Sequence, residues 1–191
     1  MFEQFMPALR LSLLAFVLCG LAYPLAMTGI AQAAFPYQAN GSLIRDARGN
    51  LIGSALVGQK FTGPEWFHGR PSAVGYDAKA SGASNYGPTN KALLDRVASG
   101  VTVVRAENPT WGDKPIPVDL LTTSGSGLDP DLTPASAQLQ AARVAKARGL
   151  SEAAVLQLID NHTEGRDLGL FGEPRVNVLT LNLALLDQTK K

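Results

Sequence analysis

Apolar residues are distributed unevenly along the chain. From Leu11 to Ile30 the sequence carries no charged side chain, and about 20 helical residues of this kind are enough to cross the hydrocarbon core of a bilayer. After this run, apolar and polar positions alternate in short segments that are typical of a folded domain in water. The pattern therefore predicts an N-terminal segment at 1–10, a transmembrane helix at 11–30, a juxtamembrane linker at 31–41 and a soluble domain at 42–191.

A cleaved signal peptide is the competing interpretation of the apolar run, because Ala31-Gln32-Ala33 has the small residues of a cleavage site. The run exceeds the roughly 7 to 15 residues of a signal-peptide core, which favours a retained anchor. Arg10 is the only basic side chain ahead of the run, and with the free amino terminus it favours a cytoplasmic N-terminus and an extracytoplasmic domain. A hydrolase released after Ala33 stays as the alternative.

Small side chains within the run indicate packing against another helix. Gly20, Ala22 and Ala26 would let a neighbouring helix approach closely, and Pro24 is tolerated inside a membrane helix. Cys19, the single cysteine of the chain, also lies there, so the sequence excludes an intramolecular disulfide and a cysteine-based metal cluster.

Turn signals and hydrophobic periodicity divide the rest of the chain into short elements. Asn90, Thr133 and Ser151 are candidates for helix N-caps, and Gly149 is suited to end a helix in the left-handed conformation. The predicted elements are a β-hairpin at 43–57, a long ordered loop at 58–88, and helices at about 90–106, 133–148 and 151–164, together with a short strand at 116–121 and a strand followed by a helix at 175–186.

The first of these helices has an apolar stripe that we expect to be buried. Its members are Leu93, Leu94, Val97, Val101 and Val104. Helices and strands are mixed without a repeated β-α-β unit. The sequence thus predicts a small mixed domain of the α+β or α/β class, with a β-hairpin and about four helices, preceded by one N-terminal transmembrane helix.

Charge and histidine content exclude several classes of function. The chain has 17 basic and 16 acidic side chains, a balance without the basic surface that nucleic-acid binding requires. His68 and His162 are far apart and the acidic residues are dispersed, so no metal site is predicted. Ser84 lies in the segment 82–86, which lacks the second glycine of a nucleophile elbow, and we expect this serine to shape a turn. No catalytic residue is predicted.

A run of small residues from Thr123 to Asp129 precedes the helix that begins after Thr133. Backbone N–H groups and the helix dipole favour anions at such a position. From the spacing alone, a tight strand-to-helix connection is the favoured interpretation, and anion binding is the alternative.

Several polar motifs, taken together and in order, make the chain resemble the C subunit of Kdp-type potassium-transporting ATPases. The motifs are Phe67-His68-Gly69-Arg70-Pro71-Ser72, the segment 81–90, Ser124 to Pro130, Arg143 to Arg148, and Val176 to Leu179. With the single N-terminal apolar helix, they extend the resemblance over nearly the whole chain.

The resemblance implies an accessory, non-catalytic subunit of a high-affinity, ATP-driven potassium uptake complex. The implied location is the bacterial inner membrane, with one span, a cytoplasmic N-terminus and a periplasmic domain. The implied partners are a potassium-channel-like subunit, a P-type ATPase subunit and a small single-span subunit, besides membrane lipid and without nucleic acid. No cofactor of its own is implied; ATP enters through the ATPase subunit, whose nucleotide affinity the family is described as raising as a catalytic chaperone.

The resemblance also points to particular residues. For a nucleotide-related role these are Gln140, Ser124, Gly125, Ser126, Gly127 and Asp129. For docking onto partner subunits they are Arg70, Ser84, Asn85, Gly87, Pro88, Thr89 and Asn90. Cytoplasmic ATP cannot reach a domain on the other side of the membrane. An extracytoplasmic domain therefore favours a purely structural or gating role at the entrance of the channel-like subunit, without nucleotide contact.

Overall fold

The computed structural model describes residues 4–46 and 48–188. They form two compact units, one extending to Ser54 and the other beginning at Ala55. The first contains the apolar N-terminal helix and a β-hairpin, and the second contains the longer remaining helices and a three-stranded sheet. The predicted fold class, a mixed domain preceded by one N-terminal apolar helix, is confirmed.

The N-terminal helix runs without interruption from Phe5 to Ala34, a length of 30 residues. It consists of α1 (Phe5–Ala15), a π-helical segment (Phe16–Ala22) and α2 (Tyr23–Ala34). The π segment has a local cause, because Pro24 lacks an N–H and crowds the carbonyl four residues before it, so that a wider turn relieves the contact. By length and composition the helix is able to cross a bilayer, while the exact bounds of the span and of the soluble domain stay predictions.

A short helix, α3 (Pro36–Ala39), leads into a hairpin of two antiparallel strands, β1 (Leu43–Arg45) and β2 (Leu51–Ser54). Asp46 organises the turn, since its carboxylate accepts hydrogen bonds from the backbone N–H groups of Arg48 and Asn50 at 2.8 Å each. The side-chain hydrogen bond from Asn50, followed by the backbone bonds, lowers the pKa of Asp46 below its usual range. The predicted hairpin is confirmed, with its second strand ending at Ser54.

Among its described residues the second unit contains four α-helices, and its core is formed by three of them packed beside a small antiparallel sheet, while the fourth, α4 (Lys91–Glu107), lies at the edge of the unit. The three core helices are α5 (Pro134–Arg148), α6 (Glu152–Asn161) and α7 (Val178–Gln188), and the strands are β3 (Asp131–Leu132), β4 (Thr163–Glu164) and β5 (Arg175–Asn177). β5 is the central strand and pairs with the other two. The core includes the buried side chains of Leu139, Val144, Val155, Ile159, Val176, Leu181 and Leu185.

Side-chain caps confirm the predicted helix boundaries. Asn90, Thr133 and Ser151 each accept a hydrogen bond from a backbone N–H in the first turn of α4 (Lys91–Glu107), α5 and α6. Gly149 ends α5 in the left-handed conformation, with φ of 66°. The predicted strand followed by a helix at 175–186 is also confirmed, because β5 leads directly into α7.

The strand predicted at 116–121 is wrong. The segment contains instead a 3-10 turn, Val118–Leu120. Pro115 and Pro117 have no N–H to donate to a neighbouring strand, so the segment cannot join a sheet on that side.

The predicted buried stripe of α4 is also wrong. No residue of α4 is buried, and Leu94 is 58% exposed. Leu93, Val97, Val101 and Val104 are half-buried. The reason is the position of α4, which contacts the short 3-10 turn Pro109–Trp111 at the edge of the unit instead of lying across the core helices.

Candidate functional site

The middle of the long loop at 58–88 is held by amide side chains from two helices. Phe67 is completely buried; its N–H donates to Oδ1 of Asn182 at 2.9 Å, and Nδ2 of Asn182 donates to its carbonyl at 3.0 Å. The N–H of His68 donates to Oε1 of Gln140 at 2.8 Å, and Nε2 of Gln140 donates to the His68 carbonyl at 3.1 Å. We call Gln140 and Asn182 the amide clamp.

The amide clamp makes the hydrogen bonds that a neighbouring β-strand makes with an extended segment in a sheet. It can do so because a side-chain amide has both a donor and an acceptor. Gln140 and Asn182 are only 2% and 1% exposed. Nε2 of Gln140 also donates to the Ser136 carbonyl, and its Oε1 accepts from Nη2 of Arg143 at 2.7 Å. Both polar atoms of Gln140 are therefore used inside the protein.

Two arginines of α5 hold the part of the loop that precedes the amide clamp. Nη1 of Arg143 donates to the carbonyls of Pro64 at 2.8 Å and Trp66 at 2.9 Å. Burial lowers the pKa of the Arg143 guanidinium below its usual range. The guanidinium of Arg148 lies 4.2 Å from the centre of the Trp66 ring, and its Nε donates to the Glu65 carbonyl at 2.8 Å. Both guanidinium groups are thus engaged with the loop.

The small-residue loop at 123–130 is fastened to the first loop. The carbonyl of Ser126 accepts from the N–H of Gly82 at 2.8 Å, and the carbonyl of Gly127 accepts from the Ser72 hydroxyl at 2.6 Å. Gly127 has a φ of +68°, and a Cβ there would lie 2.7 Å from the Gly82 carbonyl oxygen, so the position requires glycine. We call residues 67–90 and 123–130 the interlocked loops.

An ion pair adds to the connection between the interlocked loops. Nη1 of Arg70 lies 2.9 Å from Oδ2 of Asp129, and both side chains are about a quarter exposed. The Tyr76 hydroxyl donates to the Arg70 carbonyl at 2.6 Å. Burial, followed by the negative charge of Asp129, raises the pKa of Tyr76 to about 12. Tyr76 therefore stays a neutral donor well above neutral pH.

Two segments of the interlocked loops face solvent along their whole length, 77–81 and 85–90, and the second contains most of the predicted docking residues. Asn85 has a φ of +52°, a conformation that asparagine adopts more readily than most residues. Ser84, immediately before it, is half-buried, and its hydroxyl lies 3.0 Å from that of Thr123. Of the predicted docking residues, Arg70 and Ser84 thus make internal contacts. Those open to solvent are Asn85, Gly87, Pro88, Thr89 and Asn90.

A cavity of about 670 Å³ lies beside the amide clamp, with walls that include Glu107, Arg143 and Lys146. His68 also lines it; its Nε2 is 2.8 Å from the Gly63 carbonyl oxygen and its Nδ1 is 3.4 Å from Oε2 of Glu107. Both ring nitrogens thus face oxygen atoms of the protein. The amine of Lys146 has no hydrogen-bond or ion-pair partner among the described residues.

The N-terminus of α5, where the sequence suggests a preference for anions, already holds a carboxylate of the protein. Asp119 is buried and accepts hydrogen bonds from the Thr133 N–H at 2.9 Å and the Ser136 hydroxyl at 2.5 Å. A negative charge at this position is stabilised by the helix dipole. Asp119 therefore occupies the place that an external anion would take.

The predicted nucleotide-related residues do not share one open surface. Gln140 is buried in the amide clamp, and Ser124 is buried with its Oγ accepting from the Gly127 N–H at 2.8 Å. Asp129 is paired with Arg70. Gly125 and Ser126 are the exposed members of this set.

The predicted packing residues of the N-terminal helix, Gly20, Ala22 and Ala26, are all exposed. Gly20 lies within the π-helical segment. A Cβ at Gly20 would meet the ring of Phe16 at 3.5 Å, an ordinary contact. The conformation of the helix itself thus allows a side chain at this position, and a requirement for glycine would have to come from a neighbouring helix.

Sequence reasoning missed two of the residues that build the site, Asn182 and Asp119. Asn182 stands three residues after Leu179 and three before Leu185, so it lies on the apolar stripe of α7. A polar residue at an apolar position is the signal that identifies a buried hydrogen-bonding side chain. Asp119 gave no comparable signal, because its partners lie more than ten residues away in the sequence.

The candidate nucleophile Ser84 and the imidazole of His162 both contact neighbouring atoms of the protein. The Ser84 hydroxyl lies 3.0 Å from the Thr123 hydroxyl, and Nδ1 of His162 lies 2.9 Å from the Leu158 carbonyl oxygen. Within residues 4–46 and 48–188, no group of three or more histidine, cysteine or acidic side chains is arranged to hold a metal ion.

Known proteins resemble the chain over almost its full length. The family model that describes KdpC, the c chain of K⁺-transporting ATPases, matches residues 5–187. The chain is 57% identical over 178 residues to the potassium-transporting ATPase KdpC subunit of Gloeobacter violaceus, covering 93% of each chain. It is 58% identical over 187 residues to that of Caulobacter vibrioides, covering 97% of this chain and 93% of the relative. It is 51% identical over 189 residues to that of Caldanaerobacter subterraneus subsp. tengcongensis, covering 99% and 97%.

Replacing Gln140 by leucine tests the amide clamp. Gln140→Leu leaves the partly buried N–H and carbonyl of His68 without their side-chain partner, and we expect the free energy of unfolding to fall by roughly 1 to 3 kcal/mol. The measurement is urea unfolding of the purified full chain. Gln157→Leu, on the exposed face of α6, is the matched control and is expected to change stability by less than about 0.5 kcal/mol. Equal stability of the two variants would contradict the clamp.

The raised pKa of Tyr76 predicts a loss of stability at high pH. The folded state holds the neutral phenol more strongly than the unfolded state, so this contribution is complete below pH 10.0 and is lost as pH rises through about 12. We expect Tyr76→Phe to unfold with a shallower alkaline dependence than the wild type in urea titrations between pH 9 and 12. Tyr86→Phe, which removes the same hydroxyl at an exposed position, is the control. A Tyr76→Phe curve parallel to the wild type would refute this assignment.

Proposed function

This chain belongs to the KdpC family, the c chains of K⁺-transporting ATPases, and we propose that it is an accessory, non-catalytic subunit of a high-affinity, ATP-driven potassium uptake complex. In this role it stabilises the assembled complex and thereby promotes ATP use by the P-type ATPase subunit. Its proposed partners are that subunit, the potassium-channel-like subunit and the small single-span subunit. The phosphorylated aspartate and the hydrolytic chemistry belong to the ATPase subunit.

The observation that carries the proposal is the way the polar motifs are used. Gln140, Arg70 and Ser84 bind neighbouring loops of the same chain instead of converging on an open cleft. Loops fixed in this way lose little conformational freedom when they bind another protein. The exposed segment 85–90 is then the part of this rigid surface that meets a partner subunit.

The proposed location is the bacterial inner membrane, with one span, a cytoplasmic N-terminus and the second unit outside the cytoplasm. The length and apolarity of the helix Phe5–Ala34 support the span, and Arg10 supports the orientation. Gly20, Ala22 and Ala26 are the proposed points of close contact with a helix of a partner subunit. In this orientation the domain acts at the outer entrance of the channel-like subunit.

The cavity beside Lys146 favours a second candidate role, direct contact with a nucleotide. Its volume of about 670 Å³ falls in the range typical of small-ligand sites, and the Lys146 amine is available to a phosphate. Gln140 would contribute by positioning His68 and Arg143 in the cavity wall. Because ATP is cytoplasmic, this role requires the second unit to lie on the cytoplasmic side.

The docking role predicts that a bulky charge in the exposed segment disrupts assembly. Thr89→Arg places a guanidinium at an exposed position of that segment, and we expect recovery of the chain with the tagged ATPase subunit to fall to about a tenth or less. Growth at low potassium is expected to fall with it. Thr102→Arg, the same change at an exposed position of α4, is the control and is expected to assemble normally. Normal pumping by a complex that lacks the chain altogether would contradict the accessory role.

The orientation is tested by a single cysteine at Gly165, where a side chain meets no neighbouring atom within 4 Å. With Cys19 replaced by serine, we expect an impermeant thiol reagent to label Gly165→Cys from outside the inner membrane in cells whose outer membrane has been made permeable. A serine at 165 in the same background is the unlabelled control. Labelling only after the inner membrane is opened would reject the extracytoplasmic role and favour nucleotide contact.

A further inference from the structure

A surface loop between β4 and β5 projects three large apolar side chains into solvent. Leu168, Leu170 and Phe171 are 89%, 75% and 65% exposed. Scattered exposed apolar residues are ordinary on a protein surface, but three of them within four consecutive positions of one loop indicate an interaction site. We call residues 167–172 the apolar tip.

The apolar tip has a fixed shape. The N–H of Asp167 donates to the Phe171 carbonyl at 2.9 Å, and the N–H of Phe171 donates to the Asp167 carbonyl at 3.0 Å. Across its base, Nη2 of Arg166 binds both carboxylate oxygens of Glu173, at 2.8 and 2.7 Å. Backbone and side-chain bonds together close the loop on itself. The three apolar side chains are therefore carried by a loop whose backbone conformation is fixed before any partner binds.

Leu168 has an unfavourable backbone conformation, and no packing contact of its side chain within the described residues offsets that cost. Its φ is +53°, in the left-handed region that is common for glycine and asparagine and disfavoured for bulky residues. At 89% exposure its side chain gains almost no packing within the described residues. A contact outside the chain would explain why a large apolar side chain stands there.

The charges at the base of the apolar tip indicate which kind of partner fits it. Two guanidinium groups form ion pairs with four carboxylates there. Arg166 pairs with Glu173, and Arg175 pairs with Asp131, Glu164 and Asp167. This excess of negative charge is repelled by anionic lipid headgroups. It complements a protein surface that carries basic side chains around an apolar pocket.

We propose that the apolar tip inserts into an apolar pocket, rimmed by basic side chains, on another subunit of the same potassium-transporting complex. The inference rests on the proposed function, which supplies the partner complex. Burying apolar side chains at an interface is favourable roughly in proportion to the area removed from water, and a rigid support lowers the entropy cost of burying them. The apolar tip is thus a second docking element, separate in sequence from the interlocked loops.

Polar substitution of the apolar tip is the first test. The full chain carrying Leu168→Asn and Phe171→Ser is produced with the other subunits and recovered through a tag on the ATPase subunit. We expect at least about ten-fold less of this variant than of the wild type. Asparagine suits the conformation at 168, so urea unfolding of the purified variant should match or exceed the wild-type stability. Recovery equal to the wild type overturns the proposal.

The control is Val118→Ser, which removes an apolar side chain that is 68% exposed elsewhere in the same unit. We expect its recovery to equal that of the wild type. The wild-type chain separates the two proposals: if it is not recovered with the complex, the accessory role itself fails. If the wild type and the double variant are both fully recovered, only the role of the apolar tip fails.

A fluorescent probe distinguishes a protein pocket from lipid and does not depend on the double variant. Leu170→Cys, in a chain with Cys19 replaced by serine, is labelled with an environment-sensitive fluorophore in detergent. We expect a blue shift when the other subunits are added, and none when the labelled chain is reconstituted alone into vesicles of phosphatidylethanolamine and phosphatidylglycerol. A blue shift in the vesicles, or none with the subunits, overturns the proposal.

Discussion

Phe67 is completely buried in the second unit and His68 beside it is half-buried, with no strand next to either, and the side chains of Asn182 and Gln140 satisfy their backbone groups. A buried N–H or carbonyl without a partner costs about 1 to 3 kcal/mol. The loop can enter the core at this point because Gln140 and Asn182 each present an amide group to it. The completely buried ring of Phe67 then joins the loop to the apolar core.

The position of the proposed docking surface follows from this constraint. Once His68 is fixed, Arg70 can reach Asp129, and the two loops are joined by further bonds at Ser72 and Gly127. The exposed segment 85–90 is the last part of the same loop, so its position depends on all of these contacts. The many polar residues of the motifs are thus explained by the need to shape a long loop, as the proposed docking role requires.

Local signals in the sequence were enough for the helices and the hairpin. Thr133 and Gly149 determine where α5 begins and ends through contacts within a few residues. The contacts of the candidate site join residues far apart in the sequence, such as Phe67 with Asn182, and neither periodicity nor spacing reports such pairs. The strand predicted at 116–121 failed for a related reason, since its apolar residues suggested a sheet whereas Pro117 and the long-range role of Asp119 produced a turn.

Amide hydrogen exchange at Phe67 and His68 in the full-length protein tests the central claim most directly. If the amide clamp holds the loop, both amides exchange only when the whole unit unfolds, as slowly as amides in the middle of α5. Amides of the exposed segment 85–90 should exchange orders of magnitude faster in the same sample. Fast exchange at Phe67 and His68, at the rate of that exposed segment, would contradict the account.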